Sequence, residues 1–411
     1  MDRRTGKAVD RLDSSPVPQR LTAWRFVTTF GVISMLADIV YEGARSITGP
    51  LLASLGATAL VVGVVTGIGE AAALALRLVS GPLTDRTRTF WAWTIAGYAL
   101  TVVTVPFLGM ASVLWVAVAL VITERVGKAV RSPAKDTLLS HATSVTGRGK
   151  GFAVHKAMDQ LGAITGPLVV AGMLAFTHGN YRPTFAVLAV PSAATLVLLF
   201  WLGRRVPHPE RYEVTEEATD MPTTRQKLEL PVKFWLYAGF SGLTVSGFAT
   251  FGVLSFHMVN RGVLAPAAVP LVYAVAMAAA AVSALLSGWA YDRIGPKTLA
   301  VLPIVGAVVP MLAFTDSLTG VVLGALLWGT AVGIQDSTLR AVVADLVPSG
   351  RRATAYGAYA AVLGTATAIG GALTGYLYGV SIPMLVAVVG VIQLVALIAA
   401  APTVLRYTDQ V

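Results

Sequence analysis

The chain has 411 residues, of which 55% are hydrophobic and only 13% are charged, whereas soluble domains carry about a quarter of charged residues. This composition excludes an ordinary soluble enzyme, and the absence of cysteine excludes disulfides and thiolate metal sites. The net charge of +10 does not indicate a nucleic-acid partner, because Lys and Arg concentrate in alternate turns, as they do on the cytoplasmic side of membrane proteins.

Apolar runs follow one another along almost the whole chain. Because a run of about 18 or more apolar residues can cross a bilayer as a helix, the sequence predicts an all-α membrane protein with about twelve transmembrane helices. The predicted helices lie at residues 24–46, 57–80, 90–110, 113–131, 152–175, 183–203, 233–257, 266–290, 298–316, 319–338, 354–377 and 382–404. The charge bias predicts cytoplasmic tails at residues 1–23 and 406–411 and a cytoplasmic linker at residues 204–232.

The first predicted helix contains the charged stretch ADIVYEGAR. Asp38, Glu42 and Arg45 are spaced i, i+4 and i+7, which places them on one face of the helix. Arg45 is expected to pair with Glu42 near the outer surface. Asp38 has no partner within its own helix, so we expect it either to carry a proton or bind a cation, or to pair with Arg77 or Arg125 of another helix.

The second and fourth helices add charges at depth. Glu70 lies near the middle of the second helix, and Glu124 and Arg125 lie about 10 Å from the predicted end of the fourth, at a rise of about 1.5 Å per residue. Charges at such depth usually line a polar cavity. The alternative is an internal pair between Glu124 and Lys128, which is one turn away.

The stretch ERVGKAVRSPAKD forms the end of the fourth predicted helix. Pro133 is expected to break the helix there, because the residue before a proline disfavours the helical conformation. Arg131 and Asp136 would then lie at the rim of the membrane. Their expected partners are Asp85 and Arg86 of the neighbouring turn.

The fifth helix contains HKAMDQLGAITGP, in which His155, Asp159, Gly162 and Gly166 fall on one side. A histidine exchanges protons near neutral pH, although an ion pair between Lys156 and Asp159 is the favoured alternative. The two glycines predict that another helix approaches closely.

The second half is poorer in charge. The tenth helix offers Trp328 and Asp336, and the seventh helix offers four phenylalanines, Phe240, Phe248, Phe251 and Phe256. Such an aromatic stripe more often packs or faces lipid than lines a substrate site. The alternative is an aromatic wall that faces the carboxylates of the first half and binds an amphipathic or cationic compound through cation–π contacts.

Two pairs of turns repeat along the chain. GPLTDRTR at residues 81–88 and GWAYDRIGPK at residues 288–297 both follow G-x-x-x-D-R and begin 207 residues apart. RSPAKD at residues 131–136 and RAVVAD at residues 340–345 both follow R-x-x-x-x-D at an offset of 209 residues. Two pairs at nearly one offset predict an internal duplication, a recurrent plan of transporters that places the binding site between the halves.

These turns resemble the G-x-L-x-D-R-x-G-R-K signature of the major facilitator superfamily and its copy in the second half. GAITGP at Gly162–Pro167 resembles part of the fifth-helix motif G-x-x-x-G-P-x-x-G-G of proton-coupled exporters, and both glycine and Pro167 positions match. Arg88 stands where the first signature has glycine, and Val170 and Ala171 replace the closing glycine pair. The resemblance covers essentially the whole chain.

The resemblance implies two six-helix bundles, at residues 24–203 and 233–405, that rock about a central site lined by helices one, four, seven and ten. It also implies that the repeated turns latch a cytoplasmic gate, whereas the alternative is a basic cluster set by membrane topology alone. The expected gate residues are Asp85, Arg86, Arg131, Asp136, Asp292, Arg293, Arg340 and Asp345. The expected proton-coupling and substrate residues are Asp38, Glu42, Glu70, Glu124, Arg125, Asp159, Trp328 and Asp336.

The sequence thus predicts a monomeric, multi-pass secondary transporter of a bacterial cytoplasmic membrane that exports a small organic compound in exchange for protons. No P-loop sequence occurs, so ATP is not the expected energy source, and no cofactor, metal or nucleic-acid partner is expected. The alternatives are uptake or exchange of a polar metabolite or ion, and a membrane sensor that does not transport. An enzyme is not expected, because no nucleophile accompanies His155.

Overall fold

The computed structural model describes residues 21–212, 230–347 and 352–400, and all its regular structure is helical. The first half, residues 23–212, contains α1 (Ala23–Ser54), α2 (Ala59–Ala75), α3 (Arg77–Thr87), α4 (Phe90–Leu108), α5 (Leu114–Thr146), α6 (Arg148–Phe176), α7 (Tyr181–Val187) and α8 (Ala189–Arg205). The second half, residues 230–400, contains α9 (Val232–Ser246), α10 (Phe251–Asn260), α11 (Val269–Ile294), α12 (Val301–Ala313), α13 (Leu318–Leu346), α14 (Arg352–Val380) and α15 (Ile382–Ala400). The predicted N-terminal tail up to residue 20, most of the linker, and the chain from residue 401 lie outside the described residues.

The described helices account for twelve membrane crossings. Ten of the described segments are long and apolar enough to cross a membrane, and four of them join consecutive helices, namely α2 with α3, α7 with α8, α9 with α10, and α11 with α12. One segment, Val269–Ala313, has 45 residues, which exceeds what a single crossing of about 20 residues requires, so it supplies two crossings. Helix α5 supplies the twelfth crossing. It is not among the ten apolar segments because it carries several charged side chains.

Helix α5 departs most from its prediction. It was predicted to end near Arg131, but it continues to Thr146 with Pro133 inside it. A proline within a helix leaves the carbonyl four residues earlier without its donor, which here is the carbonyl of Ala129. The hydroxyl of Ser80 donates to that carbonyl at 2.9 Å, so a neighbouring helix satisfies the group and the helix continues.

The same arrangement supports a second proline. Pro106 lies inside α4 and frees the carbonyl of Val102, and Ser192 of α8 donates to that carbonyl at 2.8 Å. Serines on neighbouring helices therefore let α4 and α5 remain helical through their prolines, which sequence spacing alone could not reveal.

Buried apolar side chains form two clusters, one within residues 23–212 joined by Phe256, and the other within residues 234–400. We call the end where α1 begins and α8 ends the linker end, and the end where α1 meets α2 the opposite end. The halves meet tightly near the opposite end, where the hydroxyls of Thr66 and Thr250 lie 2.7 Å apart. There the glycines Gly49 and Gly63 leave no room for a Cβ against α10 and α14.

Candidate functional site

Three cations of the first half converge on the phenol of Tyr41, which is buried in α1. Lys128 Nζ donates to Tyr41 Oη at 2.8 Å and lies 4.1 Å from the ring centroid. Arg125 also donates to this hydroxyl, and its guanidinium lies 4.6 Å from the ring centroid. Arg45, one turn along α1, reaches the same oxygen at 3.5 Å. A single aromatic side chain thus brings α1 and α5 together through hydrogen bonds and cation–π contacts.

The carboxylates of this cluster pair with the two arginines. Glu70 Oε1 of α2 lies 2.9 Å from Arg45 Nη2 and 3.0 Å from Arg125 Nη1. Glu124 Oε2 lies 3.2 Å from Arg125 Nε, and Glu42 lies 3.7 Å from Arg45. The pairing of Arg45 with Glu42 occurs as the spacing predicted.

Lys128 pairs differently from the prediction. The alternative pairing of Glu124 with Lys128 is wrong, because Lys128 turns to Tyr41 while Glu124 holds Arg125. Among the described residues, no carboxylate oxygen lies within 4.0 Å of Lys128 Nζ, so Lys128 forms no ion pair there.

One hydrogen bond joins this cluster to the second half. The hydroxyl of Tyr273, on α11, donates to Glu42 Oε2, and Tyr273 is itself fully buried. Its ring packs edge-on against Phe251 at 4.5 Å between centroids. The second half therefore contacts the charges of the first half through a neutral donor.

A second group of charges lies nearer the linker end. Asp38 Oδ1 lies 4.0 Å from Arg131 Nη2, and the Arg131 guanidinium lies 4.3 Å from the centroid of the Tyr98 ring. The prediction that Arg131 lies at the rim is wrong: because α5 continues past Pro133, only 5% of the Arg131 side chain is exposed. Asp38 therefore pairs with Arg131 and not with Arg77 or Arg125, the partners that were predicted.

His155, on α6, adjoins this group and is 5% exposed. Its Nε2 lies 3.4 Å from Ser34 Oγ, 3.2 Å from Lys135 Nζ and 3.7 Å from Asp159 Oδ1. The favoured pairing of Lys156 with Asp159 is absent from the described contacts, because Lys156 points to the exposed side of α6. Asp159 instead lies beside His155.

The glycines of α6 bring that helix onto α1. A Cβ built on Gly162 would lie 2.9 Å from Cβ of Asp38, and one on Gly166 would overlap the backbone of Ile39 and Gly43. Pro167, the next residue, lies inside α6 without ending it. Only a residue without a side chain permits this contact.

Apart from the buried Arg131, the predicted gate residues whose side chains are described lie at the linker end, and no described ion pair latches them. Asp85, Arg86, Asp136, Asp292 and Arg293 are all exposed, and among the described ion pairs none joins these residues across neighbouring turns. Arg293 lies 3.8 Å over the Trp289 ring of its own helix, and Tyr291 of α11 donates to Asp345 of α13 at 2.5 Å. The side chain of Arg340 lies outside what the structure describes.

The aromatic residues predicted in the second half serve packing. Phe240, Phe248, Phe251 and Phe256 are all buried. Trp328 was predicted in the cavity, but it is 4% exposed, and its indole donates to the carbonyl of Ala249 at 2.9 Å within the second-half core. Asp336 is exposed and is not brought to the charges of the first half by any described contact.

Sequence reasoning missed the tyrosines and one lysine of the site, Tyr41, Tyr98, Tyr273 and Lys135. A signal existed for Tyr41, which stands three residues after Asp38 and four before Arg45 and therefore shares their face. Tyr98 and Tyr273 enter through tertiary contacts that no local spacing reveals.

The arrangement can bind and release protons and can hold a polar compound, because carboxylates, a histidine and cations share a partly buried space. In the described parts of the chain no three or more His, Asp or Glu side chains are grouped so as to hold a metal ion.

The chain is similar over nearly its full length to transport proteins. The Major Facilitator Superfamily profile matches residues 30–309 and 263–410. An uncharacterized protein of Mycobacterium tuberculosis is 68% identical over 378 residues, covering 92% of each chain. An uncharacterized MFS-type transporter of Methanocaldococcus jannaschii is 26% identical over 365 residues, covering 86% of this chain and 89% of that one. The crystal structure of the nucleoside transporter NupG superposes with a TM-score of 0.71 at 15% identity, over 93% of this chain and 100% of that chain, which shows the fold.

Proposed function

The chain belongs to the Major Facilitator Superfamily and is a multi-pass secondary transporter, and from this premise we propose that it exports a small organic compound in exchange for protons. Asp38 is the proton carrier in this proposal. The observation that carries it is the loose, partly buried pair between Asp38 and Arg131, at 4.0 Å.

A proton on Asp38 cancels the charge that attracts Arg131. The guanidinium keeps its contact with the Tyr98 ring but no longer pairs with Asp38, so α1 and α5 lose an electrostatic link that they regain when the proton leaves. Protonation and helix packing are therefore coupled in the way that an alternating-access carrier requires, since a bound proton shifts an equilibrium only by stabilising one of its states.

The exporter-like motif lies against this carboxylate. Gly162, the first residue of GAITGP, contacts Asp38 so closely that no Cβ fits. A movement of α6 relative to α1 therefore changes the surroundings of Asp38 directly. Together with the resemblance of GAITGP to the exporter motif, this contact supports export by proton exchange.

The substrate in this proposal is polar as well as organic. The phenylalanines and Trp328 are used in packing, so they give no support to an aromatic wall for an amphipathic cation. A second candidate function is uptake or exchange of a polar metabolite or ion. The absence of a carboxylate within ion-pair distance of Lys128, among the described residues, favours an anionic group in that case.

We further propose that the linker end faces the cytoplasm of a bacterial cell, with both termini on that side, as the excess of Lys and Arg there predicts. The close contacts of the halves near the opposite end and the unlatched gate residues then correspond to a state closed to the outside. Residues 24–203 and 233–405 act as the two rocking bundles, and the protein functions as a monomer.

The test uses inside-out vesicles that are energised by respiration and report their pH gradient through a dye, while a panel of compounds is added. We expect at least one compound to dissipate the gradient with the wild type and not with Asp38→Asn. Asp316→Asn is the matched control, because Asp316 is exposed and lies 3.9 Å from Arg261 at the opposite end.

The same assay separates the two candidates. A compound that dissipates the gradient only when it is loaded inside the vesicles indicates symport and contradicts export. Equal dissipation by wild type and Asp38→Asn contradicts the role of Asp38 as the carrier.

A further inference from the structure

We propose that His155 and Asp159 form a second proton-binding site, through which the proton on Asp38 exchanges with the linker end of the protein. The inference rests on the proposed function for its link to Asp38. It assigns a ligand, the proton, to a group of side chains outside the Asp38 pair.

His155 Nε2 lies at the meeting point of three helices. Ser34 of α1 lies 3.4 Å away, Lys135 of α5 lies 3.2 Å away, and Asp159 of α6 lies 3.7 Å away. Histidine is the side chain that exchanges protons most readily near neutral pH. Here it is enclosed by a donor, a carboxylate and a hydroxyl that can serve in either role.

A proton and Lys135 compete for the same nitrogen. When Lys135 donates to Nε2, that nitrogen is unprotonated and the imidazole carries its hydrogen on Nδ1, which is buried and has no hydrogen-bond partner in the described part of the chain. When a proton binds Nε2, the new N–H donates to Asp159 or Ser34 instead. Lys135 then no longer donates to His155 and keeps its neighbour Asp136, 4.0 Å away. The site therefore has two arrangements that differ by one bound proton.

A chain of polar groups leads from this site to Asp38. Ser34 precedes Asp38 by one helical turn on the same face of α1, and its hydroxyl shares a hydrogen bond of 2.8 Å with Tyr98. The Tyr98 ring in turn contacts Arg131, the partner of Asp38. Gly162 contacts Asp38 and follows Asp159 by three residues, so Asp38 of α1 packs against the face of α6 that carries Asp159.

Depth along the helices places the site between Asp38 and the linker end. His155 Nε2 lies 3.4 Å from Ser34 Oγ, so the imidazole lies at the level of Ser34. Asp38 is four residues further into α1, about 6 Å at 1.5 Å per residue. A proton leaving Asp38 toward the linker end thus passes the level of His155.

The charged and titratable groups around His155 come from four helices. They are Asp38 on α1, Tyr98 on α4, Arg131 and Lys135 on α5, and Lys156 and Asp159 on α6. With His155 neutral, Asp38 and Asp159 balance the buried cations Arg131 and Lys135. A proton that binds His155 therefore adds an unbalanced positive charge and is held only transiently. This suits proton exchange rather than stable proton binding.

The other buried histidine lacks these features and serves as the control. His257 Nδ1 lies 3.1 Å from Tyr378 Oη, and its Nε2 lies 3.0 Å from the carbonyl of Thr315. Both nitrogens have neutral partners, and no carboxylate forms an ion pair with His257 among the described residues. It is a packing histidine of the second half.

The experiment follows reconstituted protein by infrared difference spectroscopy after a pH jump. The carbonyl band of a protonated carboxylic acid reports Asp38, and Asp38→Asn identifies that band. We expect His155→Gln to slow its appearance on the order of 10²-fold, the lower range for a positioned proton-transfer group. Asp159→Asn and Ser34→Ala are expected to slow it in the same direction, and His257→Gln to leave it unchanged.

The histidine ring bands give a readout that does not depend on Asp38. A ring band that changes with pH should vanish in His155→Gln and persist in His257→Gln. If the ring band is unaffected by His155→Gln, or if the rate at Asp38 is unchanged in both His155→Gln and Asp159→Asn, the second site is refuted. If Asp38→Asn removes no carbonyl band while the His155 ring band behaves as expected, the carrier of the proposed function fails and the His155 site stands as a proton-binding site.

Discussion

The two halves of the molecule differ most in where they keep their charges. The first half encloses five buried or partly buried acids among cations of α1, α5 and α6, namely Asp38, Glu42, Glu70, Glu124 and Asp159. In the second half every Asp, Lys and Arg side chain that the structure describes is exposed. The two halves share a fold but not a chemistry.

This difference indicates a division of labour. Charges inside a membrane are costly and usually mark ion or substrate sites, so the proton chemistry that we propose is assigned to the first half. The second half contributes a packed surface and one hydrogen-bond donor, Tyr273, to Glu42. The internal duplication thus preserves the helices and the turns, while among the described side chains only the first copy carries buried charges.

The largest loss of stability is expected when Arg125, which pairs with both Glu70 and Glu124, is replaced. Arg125→Met leaves Glu70 and Glu124 with one partner fewer, and breaking a buried pair costs about 3–5 kcal/mol. Thermal unfolding in detergent measures the loss. Arg293→Met is the matched change in the second half, where the arginine is exposed over Trp289; a similar loss there would remove the contrast between the halves.

A smaller loss is expected at the contact of α1 with α6. Gly166→Ala places a Cβ against the backbone of Ile39 and Gly43, and such overpacking costs about 1–3 kcal/mol. The same unfolding assay reads the effect. Gly172→Ala on the same helix meets no atom within 4 Å and should be equally or slightly more stable than the wild type, so a matching loss in both variants would argue against the close approach.

The only charged contact described between the halves gives a conformational prediction. Tyr273→Phe removes the donor to Glu42, and a hydrogen bond to a charged group is worth about 1.5–3 kcal/mol. The halves should then separate more often at the opposite end. Because the chain lacks cysteine, spin labels on Leu60→Cys and Leu271→Cys report the distance, and we expect longer distances in the variant.

Tyr378→Phe is the control for that measurement, since Tyr378 bonds His257 within the second half. An unchanged distance distribution in Tyr273→Phe would show that the hydrogen bond to Glu42 does not hold the halves together.

The smallest effect concerns the proline in α5. Ser80→Ala deprives the carbonyl of Ala129 of its donor, which costs about 1 kcal/mol. Ser140→Ala, whose hydroxyl bonds a carbonyl of its own helix, should cost less in thermal unfolding. If the two variants are equally stable, Ser80 does not support the continuation of α5.

The sequence predicted the helices and the acids of the site, but of their partners it predicted only Arg45 for Glu42. Apolar run length predicts the crossings, and the spacing of Glu42 and Arg45 predicts their pair. Arg131 was misplaced because a proline signals a helix end locally, whereas Ser80 compensates for it from another helix. Tyr98 and Tyr273 could not be predicted, since each meets its partners only after helices distant in sequence have packed.

Trp328 illustrates the opposite error. Its helix suggested a cavity position, but its indole hydrogen bond to Ala249 fixes it in the core. Aromatic residues in a membrane protein satisfy packing as readily as binding, and the sequence alone does not separate the two.

The central claim is that proton coupling resides in the first half, at Asp38. The most direct test measures, with a pH-indicating dye, the protons that purified protein releases when it binds a compound that the vesicle assay has identified. The account predicts that Asp38→Asn abolishes the release and that Asp336→Asn, which changes an exposed acid of the second half, retains it. Retained release in Asp38→Asn would contradict the account, and its loss in Asp336→Asn would move the coupling to the second half.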